Sequence, residues 1–339
     1  MITEESRVGR AFRRVCGPKA DIYEAGAVSD ASWLSYDSGV TNWKAYASQR
    51  DLAVFPAETE ALKRWIIWMV AEEYSATTID CYVTAVSIAH DEREMPINRR
   101  ALRKVLKAAR EDAATASPPR KAAPLRAADA KALLKACDIK RPADCRDAVA
   151  CITGLMIGGR QAECTTLDWL RDGPASNGRR GYMRPVRGGY EVVLLKSKTS
   201  KKPHTFTIRN ADAPSLRKWL EAWLAHAKLE PGTPLFRGVD RWQRVSPTRL
   251  KAPAICAMIR RRMKQLFLAR GMKPGEAYLE ADRYSGHSMR AGMVSETTAR
   301  GVSLDKVKAR SRHKTTEILL DYVRIAEDRR DSAVKGLKL

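Results

Sequence analysis

Histidine and cysteine are scarce in this chain: 339 residues contain five His and seven Cys. The cysteines, at 16, 81, 137, 145, 151, 164 and 256, form no C-x-x-C pair and no regular framework. That argues against a zinc ribbon or a disulfide scaffold, and the thiols read as small buried hydrophobes in a reducing compartment. His90, His204 and His226 are too scattered for a metal site and are expected to be structural. H-E-x-x-H is absent, as is G-x-x-x-x-G-K-[ST], so neither zincin nor P-loop chemistry is expected and no cofactor is implied. No segment approaches about 18 uninterrupted apolar residues, and the start MITEESRVGR lacks the basic-then-apolar order of a signal peptide. The expected location is intracellular, in the cytoplasm.

Acidic residues run short in one part only. Residues 1–124 carry 18 Lys and Arg against 17 Asp and Glu, whereas residues 125–339 carry 44 against 22. Nearly all of the net charge of +23 therefore belongs to the later part of the chain. Such an excess suits a polyanion partner, because each phosphate neutralised by Lys or Arg releases counterions.

The chain is long enough for two domains with real cores. Residues 1–29 are poorly periodic and read as a loosely ordered tail. Residues 30–113 carry helical patterns, in TNWKAYASQRD, ETEALKRWIIWMVAEEY, TTIDCYVTAVSIAH and INRRALRKVLKAARED. Thr77 is a plausible N-cap of the third, with Ile79, Tyr82, Val83 and Val86 on one face. Trp65, Trp68 and Met69 read as core. On the fourth helix Leu102, Val105 and Leu106 face inward, while Arg99, Arg103, Lys107 and Arg110 line another side. ATASPPRKAAP, residues 114–124, breaks the pattern: consecutive prolines end a helix, and small polar neighbours hold no core. This is the expected linker.

From 125 to 339 helical patterns return, with one β interruption. AADAKALLKACD and ADCRDAVACITGLMIGGRQAECTTL read as helices. YEVVLLKSK and HTFTIR read as a hairpin around the Lys-rich turn TSKKP. RDGPASNGRRGYMRPVRGG, residues 171–189, reads as a surface turn. PSLRKWLEAWLAHAK, APAICAMIRRRMKQLFLARG and GHSMRAGMVSETTARG complete the helices before KTTEILLDYVRIAED and a terminal tail. The expected class is mainly α (α+β): a helical N-terminal bundle, then a mostly α domain with a small antiparallel sheet.

Three distant segments hold the groups needed to grip and attack a phosphodiester. They are Arg160 in GGRQAEC, His287 and Arg290 in GHSMR, and His313 with Tyr322 in RHKTTEILLDY. Arginine offers a permanently charged planar fork that can bond two phosphate oxygens. His287 lies three residues before Arg290, which places both on one helix face. Ile318, Leu319 and Leu320 form an apolar turn able to anchor a helix carrying Tyr322. By itself H-x-x-R is a common pattern. The joint spacing, with 26 residues from His287 to His313 and nine from His313 to Tyr322, is far more specific.

On these residues the chain resembles the tyrosine recombinase (phage integrase) family, most like its Cre-type site-specific recombinases. The resemblance covers about residues 30–330, and its N-terminal part is less specific than the catalytic motifs. It implies a core-binding helical domain over 30–113 and a catalytic domain over 125–339. It further implies a 3′-phosphotyrosyl intermediate on Tyr322, formed when the phenol displaces the 5′ oxygen. Arg160, Arg290 and His313 would stabilise the transition state, with His287 as acid/base support and Glu163 orienting the shell. The family also places a lysine on a β-hairpin between the arginine motifs. KSKTSKK offers Lys196, Lys198, Lys201 and Lys202, and the S-K-T context of Lys198 is most similar to the Cre-type T-K-T. Lys44, Arg99, Arg103 and Lys107, with Lys201 and Lys202, are candidates for backbone-phosphate contacts. Two positions depart from the pattern: Cys164 replaces a Leu, and Arg312 replaces the Gly that commonly precedes the second histidine, which bears on the turn around His313.

The implied partners are duplex DNA with a specific target site and three further copies of the chain. Val334, Leu337 and Leu339 form a small stripe near the end, which would pack on its own catalytic domain or, as the resemblance implies, on a neighbouring protomer. Two other readings stay open on the sequence: type IB topoisomerase-like relaxation, and a non-catalytic architectural DNA-binding protein on the same fold.

Overall fold

A computed structural model describes residues 7–17, 28–116, 121–171, 179–195, 202–313, 316 and 319–320. The chain divides into two compact units, Met1–Arg120 and Lys121–Leu339.

The first unit is helical: α1 (Arg7–Cys16), α2 (Asp30–Ser48), α3 (Thr59–Ala71), α4 (Ala76–Asp91) and α5 (Arg99–Ala116). Two of these helices begin at serine caps. Ser29 Oγ accepts the N–H of Ser32, and Ser75 Oγ accepts that of Thr78, relieving N–H groups that the helix leaves without partners. The cap of α4 is thus Ser75 and not Thr77, because Ala76 and Thr77 already have helical geometry. Trp43, Leu62, Trp65, Ile66, Met69, Ile79 and Val86 form the core, with Trp65 and Met69 as expected, while Trp68 packs against it only partly buried. The indole N–H of Trp65 finds Asn42 Oδ1 at 2.9 Å, which satisfies the only polar group it buries.

Residues 7–16 correct the expectation of a tail. Phe12, Val15 and Cys16 on α1 are buried with Trp33, Val40, Ala85 and Ala89. Arg93 closes the end of this helix, with Nη1 donating to Val15 O at 2.8 Å and Nη2 to Arg14 O at 3.3 Å. His90 is structural: its Nε2 accepts the Ala57 N–H at 3.0 Å, and its Nδ1 lies 2.8 Å from Val86 O.

The second unit is built around α7 (Pro142–Ile157), which follows α6 (Ala127–Lys135). Cys145, Ala148, Val149, Ala150, Cys151, Ile152 and Ile157 are all buried, so α7 is enclosed on nearly every side. Its charged residues are buried with partners. Asp147 accepts from Arg146, Arg261 and Arg262 at 2.6–3.0 Å, and Asp144 accepts from Arg262 at 2.6 Å.

The sequence reads 143–167 as one helix; it is two. Gly158 adopts φ 55° and ends α7, and a short α8 (Gln161–Thr165) restarts after Gly159. Glycine enters the left-handed region without the Cβ clash that other residues meet, which lets the chain turn there.

A five-stranded sheet follows, in the order β4-β3-β2-β1-β5. Its strands are β1 (Leu167–Trp169), β2 (Gly181–Val186), β3 (Gly189–Leu194), β4 (His204–Arg209) and β5 (Thr233–Pro234). The β3–β4 pair is the predicted hairpin, with Leu194 opposite His204. The sheet is mixed rather than antiparallel, because β1 and β2 run parallel. β2 also corrects the reading of 171–189 as a surface turn: Tyr182 and Met183 are buried, and the strand pairs along its length with β3. On β4 the exposed Thr205, Thr207 and Arg209 alternate with buried Phe206 and Ile208. A separate hairpin joins β6 (Arg237–Val239) to β7 (Val245–Arg249). The remaining helices are α9 (Leu216–Ala227), α10 (Ala252–Ala269), α11 (Pro274–Asp282), α12 (Ser288–Ala299) and α13 (Leu304–Ser311). No helix among the described residues is long and apolar enough to cross a membrane.

Candidate active site

The break after α7 sets the first group of the site. Arg160 is extended at φ −72° and ψ 151°, as the N-cap of α8. Glu163, one turn on, reaches back: Oε2 accepts the Arg160 main-chain N–H and Oε1 accepts its Nη1, each at 2.8 Å. One carboxylate therefore holds both the backbone and the guanidinium of the same arginine. Glu163 is 6% exposed, and a charge so buried persists only with such partners.

The second group comes from the start of α12. Arg290 is buried, with Nη1 donating to Gly158 O at 3.2 Å and Nε to His313 Nε2 at 3.3 Å. The approach of this segment to α8 depends on Gly286. A Cβ there would lie 2.2 Å from Gln161 Oε1, so the missing side chain lets the two motifs meet. His287 is the N-cap residue of α12 and is exposed, with its main-chain N–H donating to Ser285 Oγ at 3.2 Å.

His313 is the third group, and its hydrogen bonds define its tautomer. A guanidinium can only donate, so Nε2 accepts from Arg290 and carries no proton. Nδ1 therefore bears the hydrogen, 2.7 Å from Ser311 Oγ. Burial, reinforced by Arg290, Arg160 and Arg312, pushes the pKa of this imidazole down to about 4. The ring is neutral at pH 7.

Arg312 is the residue that sequence reasoning did not assign to the site. It follows α13 in the left-handed conformation, φ 56° and ψ 38°, the geometry a glycine would adopt at that helix end. The turn around His313 thus keeps its shape without the glycine. The Arg312 side chain is buried, with Nη2 donating to Glu163 Oε2 at 2.7 Å and reaching Gly158 O at 3.4 Å. Its guanidinium lies over the ring of Phe206 on β4, 4.7 Å from the centroid. The signal available in the sequence was a bulky charged residue where the motif has glycine.

The structure thus brings together Arg160, Glu163, Arg290 and His313, and adds Arg312. Tyr322, Lys198 and Lys201 lie outside the described residues. Leu319, three positions before Tyr322 in sequence, is fully buried with Met293, Val294 and Val307. Lys202 is exposed just before β4. Among the other phosphate-contact candidates, Lys44 is half-buried 5.8 Å from the Phe55 ring centroid, and its pKa is lowered by burial and then by Arg93 and Arg14. Arg99 is paired with Asp91, while Arg103 and Lys107 are exposed on α5.

Guanidiniums from three segments around a neutral imidazole suit an anionic, tetrahedral group such as a phosphodiester. Among the described residues no group of three or more His, Cys, Asp and Glu side chains could hold a metal ion.

No sequence-family model matches the chain, and no curated protein matches it by sequence. Solved structures do match. The XerH site-specific recombinase bound to a palindromic difH substrate, in a post-cleavage complex, is 12% identical with a TM-score of 0.61, covering 98% of this chain and 95% of its own. The Tn1549 transposon integrase with transposon right-end DNA is 13% identical with a TM-score of 0.53, covering 96% and 98%. A lambda integrase dimer on a core site is 14% identical with a TM-score of 0.52, covering 89% and 91%. The chain has the tyrosine recombinase fold.

Proposed function

We propose that the protein is a site-specific DNA recombinase that cuts and rejoins strands through a 3′-phosphotyrosyl link to Tyr322, acting as a tetramer on two recombination sites. The observation that carries this reading is the meeting of Arg160, Arg290 and His313 at the α7–α8 break, from segments 130 and 153 residues apart. The fold shared with DNA-bound recombinases and integrases supports it.

In this mechanism Arg160 and Arg290 hold the non-bridging oxygens of the scissile phosphate. A free phenol has a pKa of about 10, so the Tyr322 hydroxyl must lose its proton as it attacks, and His287 assists that transfer. The phosphorus–oxygen bond to the 5′ carbon's oxygen breaks, and Lys198 protonates the departing oxygen. Charge that develops on the phosphoryl oxygens is stabilised by the fixed guanidiniums, at no cost of reorganisation. Burial and then the neighbouring arginines keep His313 neutral; an arriving phosphate offsets those cations and lets the ring serve as a donor. Glu163 keeps Arg160 in place. The covalent link conserves the phosphodiester, so strand joining needs no ATP. The first unit serves as the core-binding DNA module, and the work is done on cytoplasmic DNA.

A suicide substrate nicked beside the scissile phosphate tests the proposal. Wild-type protein should become covalently attached in the presence of EDTA, with the nucleotide mapped to Tyr322 by mass spectrometry. Tyr322→Phe should bind the same DNA and form no adduct. An adduct on Tyr182 or Tyr284, a need for Mg²⁺, or supercoil relaxation without any target site would each refute it.

A further inference from the structure

Arg312 costs the fold something at its backbone and yet buries its side chain. A residue with a Cβ is disfavoured in the left-handed region, and a glycine would make the same turn freely. The turn alone therefore gives no reason for an arginine. Its side chain does: the guanidinium spans from the end of α13 to Glu163 on α8, and packs on Phe206 of β4. Nε and Nη1 are buried without a hydrogen-bond partner among the described residues, so Glu163 is its principal anchor.

The charges explain what this contact does. Glu163 is the carboxylate on which both Arg160 and Arg312 converge. With Arg160 as its sole partner, the buried carboxylate would cancel the charge of the arginine that must receive a phosphate. A second guanidinium on Oε2 offsets Glu163, so that Arg160 stays anchored and the trio keeps a net positive charge. The same residue precedes His313, whose ring is bonded to Arg290.

We propose that Arg312 is a positioning residue: through Glu163 it holds the Arg160 guanidinium ready for phosphate, and through its own turn it joins that arginine to the His313 segment. This rests on the recombinase reading, and it adds a residue that the family motif does not contain. Arg312 touches no reacting atom in this role; it acts through Glu163.

The test uses the full chain on the nicked suicide DNA. Arg312→Gly preserves the left-handed turn, so the variant should fold. Its single-turnover rate of adduct formation should fall about ten-fold or more, while its Kd for DNA stays within about three-fold. Arg312→Lys, which keeps a cation, should recover part of the rate. Combining Arg312→Gly with Glu163→Gln should do no more harm than the worse single change, because the two act as one unit. A wild-type rate in Arg312→Gly, or defects that multiply in the double variant, overturns the proposal. If wild-type protein forms no adduct at all, the recombinase reading has failed instead. The His313 titration, followed by NMR, then decides the matter for Arg312. Burial holds that midpoint down first, then the charges of Arg290, Arg160 and Arg312, and Ser311 Oγ is its hydrogen-bond partner. A raised midpoint in Arg312→Gly supports the proposal, and an unchanged midpoint overturns it.

Discussion

His313 is neutral because it is half-buried among arginines, and this has a consequence for stability. Its folded pKa of about 4 lies below the unfolded value of about 6.5. Between those values the unfolded chain binds more protons than the folded one, so stability rises with pH across that window. The contribution is complete above about pH 6.5 and is lost as pH falls toward 4. His90 shifts in the same direction through burial, so the wild-type slope contains both residues. His313→Gln should flatten part of it, read as urea midpoints between pH 7.5 and 4.5; parallel slopes for variant and wild type would contradict the assignment. The lysine is also a residue-scale question. Lys198→Ala should slow cleavage of ordinary DNA by roughly 10²–10⁴-fold, the usual worth of a general acid. It should cleave a 5′-bridging phosphorothiolate almost normally, since sulfur leaves without a proton. Equal defects on both substrates would move the role to Lys196, Lys201 or Lys202.

At the scale of elements, the break between α7 and α8 matters most. Apolar periodicity runs through 143–167 and reads as one helix, and the Gly158–Gly159 pair is too weak a local signal to overrule it. What selects the break is non-local: Gly158 O receives Arg290, and a Cβ on Gly158 would meet Met293 Cε at 2.3 Å. Gly158→Ala combines a left-handed alanine with that clash and should destabilise the chain by about 1–3 kcal/mol. The measurement is the urea midpoint at unchanged m-value; a neutral result would mean that the second unit repacks around α12. α1 and β2 escaped the sequence reading for a related reason. Each is short, and its burial comes from distant partners, Trp33 for α1 and β3 for β2.

For the whole molecule, charge asymmetry and the terminal segment carry the expectations. The second unit holds all of the positive excess, which fits DNA binding that weakens steeply with salt. The tail, outside the described residues, has Val334, Leu337 and Leu339 on an otherwise charged segment. A stripe that small cannot form a core of its own and needs a larger surface. Donation to a neighbouring copy would couple four active sites in a ring. Deleting residues 331–339 should leave half-site binding intact while full-site assembly and recombination drop sharply in gel-shift and strand-exchange assays. Tetrameric synapses as abundant as those of the full chain would show that the tail does not link protomers.

The sequence by itself determined the charge asymmetry, most helices, the β3–β4 hairpin and which side chains are candidates for the site. All of these are local: periodicity, caps and residue chemistry act within a turn or two of the chain. Only the tertiary structure decided that Arg312 belongs to the site, bonded to a carboxylate 149 residues away. It also decided that β1 and β2 pair in parallel, that Arg290 reaches the carbonyl closing α7, and that His313 accepts a hydrogen bond at Nε2. These depend on which buried charges and backbone groups find partners once the core closes. Sequence spacing does not encode that choice, because it is set by mutual desolvation and close packing between segments far apart in the chain.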